Sequence, residues 1–222
     1  MTRADSFPRP RIDDCIDQMG NAKYMSTFDL LKGYWQIPLT DRAKRISTFI
    51  VPDGTYSYIT MPFGMRNAPA TFQRYMNTVI RGLKRTKVYT DDLIIYSDTW
   101  EEHLSAINAL FERLSEYNLT VNLNKSVFCQ GTVKFLGHTI GQGHVAPLAS
   151  KIETICNYSI PQNKKSLMRF LGMAGFYRRF CPNFSHLVSS LTNLLGNKVR
   201  YVWSGECRKA FEAVKTVLIN IW

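Results

Sequence analysis

The most informative stretch of the chain reads Lys87-Val88-Tyr89-Thr90-Asp91-Asp92-Leu93-Ile94-Ile95-Tyr96-Ser97. Two adjacent carboxylates stand between two runs of apolar, β-branched and aromatic residues, and neither run has a helical period. This pattern predicts a strand, a tight turn that carries both acids, and a second strand that returns beside the first. Ionised carboxylates beside apolar strands are costly to bury without a cation, and their oxygens suit Mg²⁺. A solvated Asp-Asp turn without a ligand is the alternative that this stretch alone leaves open.

A third acid, Asp29, lies in a similar setting. It ends the apolar run Tyr24-Met25-Ser26-Thr27-Phe28, and Gly33, Tyr34 and Trp35 follow it closely. Three aspartates on neighbouring strand ends could hold two magnesium ions for in-line phosphoryl transfer. The third acid therefore favours a metal site over a solvated turn.

Further motifs accompany the acids. They are Phe7-Pro8-Arg9-Pro10-Arg11-Ile12-Asp13-Asp14, Phe28-Asp29-Leu30, Gly33-Tyr34-Trp35-Gln36-Ile37, Met61-Pro62-Phe63-Gly64, Asn67-Ala68-Pro69-Ala70-Thr71-Phe72-Gln73, Tyr89-Thr90-Asp91-Asp92, Phe135-Leu136-Gly137-His138 and Phe170-Leu171-Gly172. In order and spacing, over nearly the whole chain, this series resembles the reverse transcriptases of long-terminal-repeat retrotransposons, the Ty3/Gypsy group in particular. A lone Tyr-x-Asp-Asp is a weak signal, whereas the series is very specific. Thr90 departs from the aliphatic residue usual in that turn, and Leu31-Lys32 from the usual short polar pair.

Composition limits the possible classes of protein. The 222 residues, 45% of them hydrophobic, allow one large domain or a domain with a smaller one. Because no run of about twenty apolar residues exists, we expect no membrane partner. The net charge is +11; residues 161–222 hold 10 Lys and Arg against 2 Glu, and residues 1–160 hold 18 against 15. A basic C-terminal region indicates binding to a polyanion, although solubility alone is an alternative explanation.

The predicted elements change character near residue 147. Before it, helices alternate with hairpins, which is typical of an α+β domain with an antiparallel sheet backed by helices, the architecture of a polymerase palm. After it, only helices are predicted. We therefore expect a reverse transcriptase palm with residual fingers over residues 1–146, and a basic helical thumb with the start of a connection region over 147–222.

Some local predictions are specific enough to be tested. We expect a hairpin of residues 47–51 and 55–61, and a strand at residues 120–123. Asn67 is expected to cap one helix, and Thr99 with Glu102 another. The second helix is expected to bury Leu104, Ile107, Phe111 and Leu114.

The resemblance implies roles for the acids and for one lysine. Asp29 and Asp91 would be the primary magnesium ligands, Asp92 would complete the cluster, and the backbone oxygen of Leu30 would be a further ligand. Two Mg²⁺ ions, with Mn²⁺ as a possible replacement, are implied. Lys125 would protonate the leaving pyrophosphate, although a solvated surface lysine is the alternative.

The resemblance also implies a nucleotide pocket. Tyr34 would lie beneath the incoming sugar and exclude a ribose 2′-hydroxyl; without the resemblance we would place this ring in the core. The segment Pro62, Phe63, Gly64 and Met65 would line the pocket and support the templating base. Gln73 is a weaker candidate, for which a solvated position is the alternative.

Nucleic-acid contacts are implied in two places. Phe135, Leu136, Gly137 and His138 resemble a primer grip, in which His138 would support the backbone and not bind metal. In the thumb, contacts to duplex phosphates are implied for Lys164, Lys165, Arg169, Arg178 and Arg179. A solvated helix face is the alternative explanation for these basic residues.

The implied function is an RNA-directed and DNA-directed DNA polymerase of a retrotransposon. It would use a primed RNA or DNA template and deoxynucleoside triphosphates, inside the cell, in the cytoplasm, a virus-like particle or the nucleus. Relative to the family, the chain is expected to lack the basic fingers upstream of Phe7 and the regions after Trp222. A remnant that binds nucleic acid with weak or no catalysis is therefore the leading alternative. A magnesium-dependent nucleotide cyclase is disfavoured by the basic helical tail.

Overall fold

The structure, a computed structural model, describes residues 3–8 and 10–221; Arg9 of the first motif lies outside these ranges. The chain divides into two compact units. The first comprises the described residues up to Leu136 together with Ile140–Val145. The second comprises Gly137–Thr139 and the described residues from Ala146 onward. The division predicted from the sequence lies between residues 146 and 147.

Strands and helices are interspersed up to Pro147, and only helical segments follow among the described residues. The strands are β1 (Tyr24–Asp29), β2 (Phe49–Val51), β3 (Gly54–Tyr56), β4 (Thr86–Tyr89), β5 (Asp92–Ser97), β6 (Val127–Gln130), β7 (Thr132–Phe135), β8 (His138–Gly141) and β9 (His144–Pro147). The helices are α1 (Ile12–Asp17), α2 (Asp41–Ile46), α3 (Ala68–Val79), α4 (Trp100–Glu116), α5 (Ala149–Cys156), α6 (Lys164–Phe176), α7 (Phe184–Leu187), α8 (Ser189–Asn193) and α9 (Gly205–Ile219). Short 3₁₀ segments cover Gly33–Gln36, Leu123–Lys125 and Arg178–Phe180.

The first unit is built on a four-stranded sheet in the order β4-β5-β1-β6. Strands β4, β5 and β1 are antiparallel neighbours, as the two apolar runs around Asp91 predict. The β1–β5 register pairs Asp29 with Asp92. Strands β2 and β3 form a separate hairpin, and β7, β8 and β9 form a three-stranded sheet. Mixed helices and antiparallel strands confirm the predicted α+β class.

Successive residues of β5 enter different apolar clusters, because side chains alternate across a strand. Leu93 and Ile95 pack with Phe72 of α3 and Leu110 of α4. Ile94 and Tyr96 belong to a second cluster, which includes Ile16 of α1, Met19 just after it, and Phe135 and Ile140 of β7 and β8. The central strand is therefore covered on both faces, and burial fixes its register.

The second unit has an apolar core of its own. Phe170 of α6 and Phe211 of α9 are fully buried, and their ring centroids are 4.5 Å apart. Asn163 caps α6 by accepting a hydrogen bond from the Ser166 amide, and the Ser166 hydroxyl oxygen accepts from the Asn163 amide, which completes a capping box. The helical character predicted for this region is observed.

Several local predictions are wrong. Residues 120–123 form only an isolated bridge between Val121 and Leu30, in which the Leu31 and Asn122 amides donate to the Thr120 and Asp29 carbonyls, because the chain then enters a 3₁₀ turn at Leu123. The Asn67 side chain bonds Arg3 and Asp5 and does not cap α3.

Two further predictions need correction. Helix α2 forms just before the predicted hairpin, where no element was predicted, and the hairpin itself is shorter than residues 47–61. Helix α4 turns a different face toward the core from the one that was predicted. It buries His103, Ile107, Leu110 and Leu114, whereas Leu104 is exposed.

No helix among residues 3–8 and 10–221 is long and apolar enough to cross a bilayer.

Candidate active site

The three aspartates lie at the ends of adjacent strands. Asp29 ends β1 and Asp92 begins β5, and the register places them directly opposite each other, so both side chains leave the same face of the sheet. Asp91 lies in the turn between β4 and β5, where Thr90 has a φ of 53°. A hydrogen bond of 2.8 Å from the Thr90 amide to Gln73 Oε1 holds this turn.

The charges of the three acids oppose one another. Burial raises the pKa of Asp92 to about 6, with the negative charges of Asp91 and Asp29 acting in the same direction, while Lys125 lowers it. Lys125 Nζ lies 3.9 Å from Asp29 Oδ2, and its side chain is 67% exposed. This exposed lysine therefore compensates only part of the negative charge.

The donor set suits a divalent cation. Carboxylate and backbone oxygens are the ligands that Mg²⁺ prefers, and the β1–β5 register places Asp29 opposite Asp92, which directly follows Asp91. Within the described ranges, however, no three His, Cys, Asp or Glu side chains are gathered closely enough to form a metal cluster. The strand ends bring the acids together, and the side chains stay apart.

Two clefts adjoin the Asp29–Lys125 pair. One, of about 390 Å³, is lined by Asp29, Leu30, Tyr34, Phe63, Asp91 and Lys125, among others. The other, of about 290 Å³, is lined by Asp29, Asp92, Lys125, Lys134, Phe135 and Leu136, among others. Most of the catalytic and nucleotide-binding residues expected from the sequence therefore line the two clefts that adjoin the Asp29–Lys125 ion pair.

Tyr34 forms part of the wall of the larger cleft. Its ring centroid lies 5.1 Å from that of Phe63 and 5.0 Å from that of Phe72, and the residue is half-buried. Gly33 permits this arrangement, because a Cβ there would lie 3.0 Å from Phe72 Cζ and 3.4 Å from Asp91 Cβ. Tyr34 thus packs against the core and also borders the cleft.

The segment from Pro62 to Met65 presents one ring to the cleft. Phe63 is 63% exposed, whereas Pro62 is buried and Met65 packs against the core beneath it. Gly64 has a φ of 91°, a conformation that favours glycine. Of this segment, only Phe63 lines the larger cleft together with Tyr34.

Gln73 has a different position from the one expected. It is fully buried, its Oε1 accepts from Thr90, and its Nε2 donates to Asn77 Oδ1 at 2.9 Å. This side chain supports the turn of Asp91 through its bond with Thr90. Its complete burial is incompatible with a solvated position and with direct contact to a nucleotide.

The predicted primer-grip residues form a tight hairpin turn. Leu136 and Gly137 both have positive φ, 46° and 78°, as a two-residue turn between β7 and β8 requires. Phe135 is buried in the core of the first unit. His138 is buried in the second unit, with ring centroids of Phe176, Tyr177 and Phe180 within 5.7 Å. Phe135 thus lines the cleft of Asp92, whereas the His138 side chain is enclosed by the aromatic rings of the second unit.

The predicted basic residues of the second unit differ in exposure. Lys165, Arg169, Arg178 and Arg179 are exposed. Lys164 is half-buried, and its Nζ donates a 2.6 Å hydrogen bond to the Gly196 carbonyl. Lys165 and Arg169 lie on one side of α6 with exposed Met168 and Phe176.

Sequence reasoning missed several residues of the clefts, Lys134 and Asn122 among them, and a pair of hydrogen bonds made by Gln36 nearby. Lys134, on β7, lines the cleft of Asp92, and Asn122 lines that of Tyr34. Gln36 bonds Thr120 through both amide atoms, at 2.6 and 3.0 Å, and so ties the segment after Asp29 to the one that precedes Lys125. The alternation of β7, with Val133 and Phe135 buried, could have indicated Lys134.

Comparison with known families decides the assignment. A family model described as reverse transcriptase (RNA-dependent DNA polymerase) matches residues 2–140. The chain belongs to the reverse transcriptase family. That match includes all three aspartates and Lys125.

Sequence similarity to individual members of the family extends over almost all of the chain. The retrovirus-related Pol polyprotein from transposon 297 of Drosophila melanogaster is 37% identical over 99% of this chain and 21% of its own length. The transposon Tf2-3 polyprotein of Schizosaccharomyces pombe is 31% identical over 96% of this chain and 16% of its own. The predicted likeness to retrotransposon reverse transcriptases is thereby confirmed. The chain spans about a fifth of the length of these relatives.

Solved structures agree with this assignment. A foamy viral protease–reverse transcriptase in complex with double-stranded DNA has a TM-score of 0.90 and 27% identity, covering 98% of this chain and 39% of that one. The foamy viral enzyme with an RNA/DNA hybrid has a TM-score of 0.85 and 27% identity, covering 98% of this chain and 30% of that one.

Proposed function

We propose that this chain is the catalytic part of a retrotransposon reverse transcriptase, which adds deoxynucleotides to a primer 3′-hydroxyl on RNA or DNA templates. The observation that carries the proposal is the pairing of Asp29 with Asp92 across β1 and β5, beside Asp91 and at the edge of two clefts. Membership of the reverse transcriptase family supports it.

The residues that would hold magnesium are Asp29, Asp91, Asp92 and the Leu30 carbonyl. Two bound Mg²⁺ ions, or Mn²⁺ in their place, would activate the primer hydroxyl and stabilise charge on the α-phosphate and the leaving pyrophosphate. The role of the protein is to keep three mutually repelling carboxylates together at the same end of the sheet. The β1–β5 register does this through backbone hydrogen bonds, which are independent of the charge.

Lys125 has two roles in this proposal. In the structure its ammonium group neutralises part of the charge of Asp29 from a distance of 3.9 Å. With a nucleotide in the cleft, the flexible and exposed side chain would turn to the triphosphate and give a proton to the leaving pyrophosphate. A Lys125→Met variant should then slow incorporation while keeping affinity for the primer–template.

Tyr34 would discriminate between sugars. Contacts with Phe63 and Phe72 hold its ring at the wall of the larger cleft, so it could exclude a 2′-hydroxyl by its size. We expect Tyr34→Ala to raise ribonucleotide use relative to deoxynucleotide use by about tenfold or more. Competition between the two nucleotides in primer extension measures this ratio, and an unchanged ratio would return Tyr34 to a packing role.

The exposed side of α6 would bind the primer–template. Lys165 and Arg169 supply positive charge, and at Gly172 an added Cβ would meet no atom within 4 Å, so a duplex could approach the helix closely. Neutralising Lys165 and Arg169 to Gln should weaken binding and reduce the dependence of log affinity on log salt by about 0.9 for each phosphate that is no longer neutralised. Gln at Lys198 and Lys209, which are also exposed and lie outside α6, is the matched control.

Primer extension tests the proposal as a whole. We expect magnesium-dependent extension on RNA and on DNA templates, and loss of extension in Asp91→Asn. Binding of the primer–template without extension would support the alternative of a remnant that only binds nucleic acid. The neighbouring structures contain double-stranded DNA or an RNA/DNA hybrid, and both duplexes are suitable ligands for the binding assay.

A further inference from the structure

A buried polar network lies on the sheet face opposite the acids. His103 of α4 is fully buried, with Nε2 2.7 Å from Ser26 Oγ of β1 and Nδ1 2.9 Å from Ser97 Oγ of β5. Ser26 and Ser97 are themselves fully buried. One ring therefore joins α4 to the two strands that carry Asp29 and Asp92.

One tautomer of His103 gives every donor of this network an acceptor. In it, Ser97 donates its hydroxyl proton to the Thr99 carbonyl and accepts from Nδ1–H of His103. In a neutral imidazole the other nitrogen is then an acceptor, and Ser26 donates its proton to Nε2. The lone pairs of Ser26 Oγ remain for the Cys129 amide, which donates to it at 2.9 Å.

The Cys129 amide belongs to a β-bulge. Strands β1 and β6 pair Met25 with Gln130 and Thr27 with Val127, so two residues of β6 stand opposite Ser26 alone. Cys129 has a φ of 51°, a left-handed conformation that a non-glycine residue adopts only under constraint. The Ser26 hydroxyl thus takes the place of a backbone acceptor at the point where the ladder is interrupted.

The bulge lies just beyond the loop that carries Lys125. Upstream, the Asn122 amide donates a 2.8 Å hydrogen bond to the Asp29 carbonyl. Downstream, Val127 pairs with Thr27, and the bulge sets this register. Lys125 therefore lies in a short loop attached to β1 at both ends, with its Nζ 3.9 Å from Asp29 Oδ2.

We infer that Ser26, oriented by His103, is a positioning residue for Lys125. By bonding the Cys129 amide it holds the β6 bulge in one register, and the bulge fixes where the Lys125 loop meets Asp29. A slip of one residue would displace the loop by about 3.3 Å and turn its side chains to the other face. The inferred role in catalysis rests on the proposed function, whereas the inferred position of Lys125 does not.

Zero-length cross-linking measures that position directly. A carbodiimide joins a carboxylate and an amine in contact as an amide, with net loss of one water, which the carbodiimide takes up to become a urea. Peptide mass spectrometry would quantify the Lys125–Asp29 product against the Lys44–Asp41 product of α2, whose charged atoms are 3.1 Å apart. In Ser26→Ala we expect about a fivefold fall in this ratio, the factor that removal of one typical net hydrogen bond produces.

Ser97→Ala is the matched control. It removes the same group from an equally buried serine on the same histidine ring, but the Ser97 hydroxyl bonds Thr99 and His103, whereas that of Ser26 bonds β6. It should lower thermal stability to a similar extent and leave the cross-linking ratio unchanged. If Ser26→Ala fails to fold, the pair Ser26→Cys and Ser97→Cys replaces it, since a thiol leaves no cavity, is only somewhat larger than a hydroxyl and is a weak acceptor. An unchanged ratio in the Ser26 variants, or an equal fall in both series, would overturn the inference.

Primer extension separates this inference from the proposed function. If the chain extends primers, Ser26→Ala should lower the incorporation rate and leave the primer–template affinity unchanged, whereas Ser97→Ala should change neither. If wild-type protein extends no primer, the proposed function fails, and the cross-linking ratio still decides whether Ser26 positions Lys125.

Discussion

The two faces of the central sheet differ in how fully their polar side chains are paired. On one face, Asp29 and Asp92 stand opposite each other, burial and neighbouring charge raise the pKa of Asp92, and one exposed lysine compensates part of the charge. On the other face, His103 and two serines form a closed network in which each polar side-chain group has a partner. The same strands thus carry a cluster of repelling carboxylates, which we propose as a cation site, and a network that joins both strands to α4.

The difference has a simple energetic meaning. Carboxylates held together without a cation reduce the stability of the folded chain, because desolvation and repulsion both disfavour their charged forms. A satisfied buried network contributes stability, and it becomes costly only when one partner is removed. Substitutions on the two faces should therefore have opposite effects on stability and on activity.

The largest effect is expected on the acidic face. Asp29→Asn should lower magnesium-dependent incorporation by about a thousandfold or more, because it removes a charged ligand of the proposed metal site. It should not lower the melting temperature, since it also removes a repelling charge. Single-turnover primer extension and thermal unfolding on the same preparation measure both properties. Near-normal incorporation would contradict the assignment of Asp29.

A smaller effect is expected on the opposite face. His103→Leu should lower the free energy of unfolding by about 2 kcal/mol, since it leaves the Ser26 and Ser97 hydroxyls without their ring partner in a dry environment. His103→Gln, which keeps one donor and one acceptor, should lose less. Urea unfolding of the three proteins gives the comparison, and equal stability of all three would mean that the network contributes nothing.

Removal of one repelling charge should stabilise the chain. In the absence of divalent cations at neutral pH, Asp92→Asn should raise the free energy of unfolding by about 1 kcal/mol, after allowance for solvent screening. Asp98→Asn, at an exposed acid that pairs with Arg85, serves as the control and should not stabilise. If Asp92→Asn is less stable than the wild type, the acidic face is not under repulsion.

The smallest effect concerns pH. Burial lowers the pKa of His103 below its ordinary value of 6.5, so the folded state binds a proton less readily than the unfolded state. As pH falls through the unfolded pKa, the unfolded chain gains a proton first, and the free energy of unfolding should decrease. Denaturation of the wild type and of His103→Gln between about pH 8 and about pH 5 should show a shallower decrease in the variant.

Much of the acidic face could be predicted from the sequence, because its signals are local. The apolar runs around Asp91 and Asp92 predict the hairpin, and the run before Asp29 predicts β1. Composition and helical spacing also predict a helical second unit. These features depend on strand and helix periods, which short stretches of sequence reveal.

The polar network on the opposite face could not be predicted from the sequence, because it depends on contacts between residues that are distant in sequence. His103 occupies a core position that hydrophobic spacing does not recognise, since its hydrogen-bond partners come from β1 and β5. Gln73 is similar: its buried amide is explained only by the turn at Thr90. Residues 120–123 have the composition of a strand, yet they form a single bridge to Leu30, beside which the Gln36 side chain bonds Thr120. In each case a partner distant in sequence decides the structure.

Thermal unfolding with added magnesium is the sharpest test of this contrast between the two faces. If the acidic face is repulsive until a divalent cation binds, Mg²⁺ should raise the melting temperature of the wild type and of Ser97→Ala in a saturable manner. The increase should be lost or greatly reduced in Asp29→Asn, while KCl of equal ionic strength should not reproduce it in the wild type. An identical increase in the wild type and Asp29→Asn would show that magnesium acts elsewhere, and would contradict the assignment of the acidic face as a cation site.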